Sequence, residues 1–72
     1  MPDIALFSVV ALTQDLPDRG LSRGQMGTIL EKLAPDVYEV EFSGENGETY
    51  ATATIEGSKL MRLHREPVPS AA

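Results

Sequence analysis

Apolar residues in this chain recur with a period of two rather than 3.6. In the segment from Val37 to Phe42, Tyr38, Val40 and Phe42 share one face, and Val37, Glu39 and Glu41 share the other. That is the pattern of a half-buried β-strand. From Thr49 to Ile55 the chain is dense in threonine, with Ala51, Ala53 and Ile55 on one face. Between these two runs stands Asn46-Gly47, a strong short hairpin signal. Phe7 to Leu12 reads as a first strand and Met26 to Leu33 as a second. Leu60 to Leu63 reads as a short last strand, with Leu60 and Met61 assigned to the interior. Glu56 to Lys59 is a tight turn or one turn of 3₁₀ helix. Ala34-Pro35-Asp36 is a turn, because Pro35 lacks the N–H that a strand ladder needs. The expected core is Val10, Leu12, Ile29, Tyr38, Val40, Phe42, Ile55 and Leu60.

Asp15 to Gly24 is the longest connection. Pro17, Gly20 and Gly24 punctuate it, and Asp18-Arg19-Gly20 suits a turn with positive φ at the glycine. Gly27, at the start of the second strand, predicts a bulge or a close backbone crossing. Five short strands joined by tight turns predict an all-β fold, a small five-stranded SH3-like barrel. The expected organisation is one domain over residues 1–72, ordered from about 6 to 65, with a frayed proline-containing tail over 66–72.

Composition narrows the function classes. Seventy-two residues leave room for one domain, and a chain of this size buries only about 60% of its unfolded surface. With no cysteine there is no disulfide and no thiolate metal site. No apolar run approaches the roughly 18 residues of a membrane span, and the first residues lack a basic signal-peptide region. A cytoplasmic location is expected. The formal net charge of −5 repels phosphate and anionic membranes and suits a basic protein partner. Acidity also serves plain solubility.

No catalytic constellation emerges. His64 is the only histidine and has no nucleophile motif beside it. Glu39 and Glu41 alternate onto a solvent face. Asp15, Asp18 and the residues around Asn46 do not have calcium-loop spacing. Gly24 and Gly27 are not followed by the Lys-Ser/Thr of a phosphate loop. The expectation is a non-enzyme with no cofactor and no metal.

Four residues stand as candidate binding groups: Asp18, Arg19 and Arg23 in the long loop, and Asn46 in the hairpin turn. Loops on a rigid scaffold commonly carry recognition. The competing reading is that the loop folds over the barrel end through Leu16 and Leu21 and seals the core. A groove for proline-rich peptides is disfavoured, because the chain has no tryptophan and few exposed aromatics.

The segments Asp15-Leu16-Pro17, Gly24-x-x-Gly27-Thr28 and Tyr38-Glu39-Val40-Glu41-Phe42 together resemble the bacterial family numbered 4926 among the domains of unknown function. The resemblance runs from about Val9 to Leu63. It implies an SH3-like barrel and assigns no activity and no functional residues. The Gly24-x-x-Gly27 turn is also similar, more distantly, to the KOW motif of ribosomal proteins and to the SH3-like β subunit of nitrile hydratase. Three function classes follow. The first is a protein-interaction module, in one version an antitoxin or immunity-like partner of an adjacent gene product. The second is a KOW-like nucleic-acid or ribonucleoprotein adaptor, which the charge disfavours. The third is an accessory subunit of an enzyme complex.

Overall fold

The period-two runs become five antiparallel strands: β1 (Val9–Leu12), β2 (Met26–Ala34), β3 (Val37–Ser43), β4 (Thr49–Glu56) and β5 (Leu60–Arg62). The protein is represented by a computed structural model that describes residues 4–44, 46 and 48–64, with Tyr50 described by its backbone alone. The 66–72 tail and Gly47 of the hairpin turn lie outside the described residues. The strands form one sheet in the order β4-β3-β2-β1-β5. It is not closed: β4 and β5 are its edges, joined by a 3₁₀ turn over Gly57–Lys59.

One face of this single sheet supplies one core. Val10, Leu12, Leu21, Ile29, Tyr38, Val40, Phe42, Ala53, Ile55 and Leu60 form a contiguous buried cluster. A sheet whose two edge strands share one core must curl around it, which gives the molecule its barrel-like form. All eight expected core residues are in the cluster. Leu21, from the long loop, and Ala53 complete it. The Tyr38 hydroxyl, at the rim of the core, accepts a hydrogen bond from the Ile4 N–H at 3.1 Å, as a buried tyrosine requires.

Two local readings are corrected. The first strand begins at Val9, not Phe7. Ala5 to Ser8 is a turn closed by the Ser8 N–H on the Ala5 carbonyl at 3.2 Å. Phe7 sits in it at φ 65°, a left-handed conformation that crowds Cβ in any L-residue. Met61 points outward, opposite Ala11, and is 53% exposed. Of the two readings offered for Gly27, the close crossing of strands is the one observed: its φ is not positive, and an added Cβ would meet Val40, Glu41 and Phe42.

The bulges lie further along β2. The register jumps between Ile29 and Glu31 and again between Lys32 and Ala34. Leu30 and Leu33 are the extra residues, which is why nine residues of β2 face seven of β3. The β2–β3 connection is the Pro35-Asp36 pair. Asp36 has φ 61°, and proline followed by a positive-φ residue is the signature of a type II turn. The Asp36 carbonyl then accepts the Gly57 N–H at 2.8 Å, tying this turn to the 3₁₀ turn between the edge strands.

Phe7→Gly should raise stability by up to about 1 kcal/mol, because glycine takes this φ without crowding. Phe7 is 70% exposed, so little burial is lost. Urea denaturation checks this: a lower midpoint for the variant would mean that the ring is packed in solution.

Candidate functional site

The long loop combines a structural role with exposed charge. Pro17–Arg19 form a 3₁₀ turn ended by Gly20 at φ 67°, the positive φ expected there. Leu16 and Leu21 pair across it, with the Leu16 N–H on the Leu21 carbonyl at 2.8 Å and the reverse bond at 3.2 Å. Leu21 is only 3% exposed, and Leu16 packs against the core from its edge. The loop therefore carries apolar residues into the interior, as the sealing reading expects.

Arg19 extends this role. Its Nη1 donates to the Thr54 carbonyl at 2.9 Å, satisfying a backbone acceptor on the edge strand β4. Leu16, Arg19, Ile55 and Lys59 line a small cleft there, where the loop meets the end of β4 and the Gly57–Lys59 turn. Beside it, Lys59 Nζ lies 3.7 Å from Glu56 Oε1, a solvent-screened pair of small energetic weight.

The other candidates are exposed. Asp18 lies on the 3₁₀ turn. Arg23 precedes β2, and its backbone N–H donates to Asp15 Oδ1 at 2.8 Å. Asn46 lies in the β3–β4 turn, where the Gly44 N–H donates to the Glu48 carbonyl at 2.8 Å. The four do not form one constellation. Thr54 is about 17 Å of strand away from Thr49 at the rise of an antiparallel strand, so the Arg19 guanidinium meets the end of β4 remote from Asn46. Arg19→Ala should cost under about 1 kcal/mol, the loss of one solvent-exposed hydrogen bond. A thermal melt reads this directly, and a drop of tens of degrees would make Arg19 a main structural tie.

A second surface was not anticipated from the sequence. On the outer face of the sheet, Ala11 has Met26 opposite it on one side and Met61 on the other. The two methionines are 55% and 53% exposed, while Ala11 beneath them is 5% exposed. Val9, two positions along β1 on the same face, is also exposed. Shallow grooves run on both sides of the Val9–Met26 pair. One is walled by Ser43 and Gly44, the other by Leu63 and His64. The signal was available: in a strand whose Val10 and Leu12 point inward, Val9 and Ala11 must point out. An outward row of apolar residues on three adjacent strands is then the anomaly.

Among the described residues, no three acidic or histidine side chains come together as a metal-holding group, and no helix is long and apolar enough to cross a membrane.

Fold and surface together define a small all-β domain with a curled five-stranded antiparallel sheet and an apolar strip on its outer face. Residues 6–62 match the family model described as "Domain of unknown function (DUF4926)", and the chain belongs to that family. No curated protein and no solved structure gave a match.

Proposed function

We propose that this protein is a non-catalytic protein-binding module that docks its partner on the outer face of β1, β2 and β5. The observation that carries this reading is the pair of exposed methionines over Ala11, with Val9 beside them. Exposed contiguous apolar surface on a small domain is a common mark of an interaction site. Methionine, unbranched and polarisable, adapts readily to a partner's shape. The net charge of −5 favours association with a basic protein. Neutralisation of a basic companion protein in the cytoplasm is one form this takes. A nucleic-acid adaptor has less support, because Arg19 is engaged with the Thr54 carbonyl and the charge repels phosphate.

Affinity capture with the full chain as bait, read by quantitative mass spectrometry, tests the reading. A protein retained by the parent should fall about tenfold or more on the double variant Met26→Ser, Met61→Ser. Retention of nucleic acid alone, or of no protein, refutes it.

A further inference from the structure

The outer face is divided between two chemistries. β1, β5 and the start of β2 carry the apolar strip. The rest of β2 and β3 carry Glu31, Glu39 and Glu41. Glu31 and Glu39 are directly opposite one another across the strand pair, and Glu41 lies two positions along from Glu39 on the same face. Like charges in direct opposition destabilise a sheet. The bulge at Leu30 creates this juxtaposition: strict alternation from buried Ile29 would turn Glu31 towards the core, and the extra residue turns it out. Bulges often re-aim side chains in this way. The neighbours on β4 do not neutralise the group, because Glu39 faces Thr54 and Glu41 faces Thr52.

The two chemistries are continuous. Val9 faces Thr28, and Thr28 faces Glu41, so the carboxylate stands about 10 Å from Val9, two strand spacings away. The opposite rim of the strip differs, with Arg62 and His64 lining the groove beyond Val9. A ligand's cationic end is thereby directed towards β3.

We propose that this face binds a cationic polypeptide segment, whose apolar side chains cover Val9, Met26 and Met61 while its Lys or Arg side chains meet Glu31, Glu39 and Glu41. The inference rests on the protein-binding reading above and adds which residues meet the partner's cations and how the partner is oriented. Bound cations would relieve the Glu31–Glu39 repulsion. A second copy of the chain fits less well. A two-fold interface brings the same patch against itself, and two chains of net charge −5 repel.

The test is selection of a random-peptide display library on the full chain, with the double variant Met26→Ser, Met61→Ser as the counter-selecting surface. Enriched sequences should carry net positive charge with apolar residues. Their synthetic peptides should bind about tenfold more weakly to the Glu39→Gln, Glu41→Gln variant and lose affinity as salt rises. Separately, Glu31→Gln should hold or raise the melting temperature of the free protein, whereas a supporting structural role for that carboxylate would lower it. Acidic or uncharged consensus sequences overturn the cationic partner, even where they still depend on Met26 and Met61, and leave the protein-binding reading standing. Absence of enrichment also overturns the proposal. So does a concentration-dependent dimer in sedimentation that disappears in the methionine double variant, which makes a second copy the occupant. Failure of the broader reading is visible on its own, as a capture experiment that retains no protein.

Discussion

Phe42→Ala should cost about 3–5 kcal/mol, the usual range for removing a buried aromatic ring. Phe42 is 0% exposed. It lies in an inward row that crosses four strands, Val10 to Gly27 to Phe42 to Ala51. No neighbour can fill the space cheaply, because the residue in front of the ring is a glycine. A domain of this length has a total stability of about 4–11 kcal/mol, so the variant should be largely unfolded at the low end of that range. Where it still folds, each kcal/mol lost lowers the melting temperature by about 4–8 °C. Thermal and urea melts followed by circular dichroism decide the matter: a variant as stable as the parent would show that the ring is not at the centre of the core.

Gly27→Val should be nearly as damaging, for the opposite reason. A Cβ at Gly27 would stand 2.7 Å from Val40 Cγ1, 2.9 Å from the Glu41 carbonyl oxygen and 3.0 Å from Phe42 Cδ1. Real contacts of that kind do not occur, and one of the three is backbone that cannot rotate away. Overpacking of this sort costs about 1–3 kcal/mol and sometimes more, and valine adds two further carbons. Gly27→Ala should follow the same direction with a smaller loss. Gly20→Ala makes an instructive comparison: nothing lies within 4 Å of the added methyl, but φ is +67°, so its cost is conformational and about 1 kcal/mol. Gly27 also borders the groove beside Val9 and Met26. Its role is therefore separated by measuring stability and partner affinity together. A Gly27→Val protein with the parent's stability but no affinity would make the glycine a recognition element instead of a packing one.

Strand β3 was legible in full, because Tyr38, Val40 and Phe42 alternate with polar residues and no bulge interrupts them on that strand. The extent of strand β2 is legible, Met26 to Leu33 against Met26–Ala34, but the facing of its residues only to Ile29. Beyond it two bulges break the period, and apolarity alone does not say that Leu30 and Leu33 are the extra residues. Residue type favours strand at Phe7, which is aromatic and adjoins a β-branched run. Its left-handed φ follows from a turn hydrogen bond between Ala5 and Ser8 that residue preference does not report. Hydrophobicity alone turns Met61 inward. Its position opposite outward-facing Ala11 decides otherwise, and that pairing is a long-range contact. In the long loop, the sequence leaves sealing by Leu16 and Leu21 as one of two readings, and both the burial of Leu21 and the reach of Arg19 to Thr54 depend on how the loop folds across the sheet edge.

Local chemistry determined the five strands, the turns at Asn46 and Pro35, the inward set of eight core residues and the acidic character of the chain. These are properties of neighbours in sequence: alternation, missing N–H groups and the count of charged side chains. Tertiary pairing alone decided which strands adjoin, that the sheet stays open between β4 and β5, and that Arg19 reaches the Thr54 carbonyl on β4. It also decided that Val9, Met26 and Met61 meet on one outer face, and that Glu31 stands opposite Glu39. A strand's outward residues are fixed by its own period. Which outward residues become neighbours depends on register and bulges between strands far apart in sequence, and these are settled only when the sheet curls around its core.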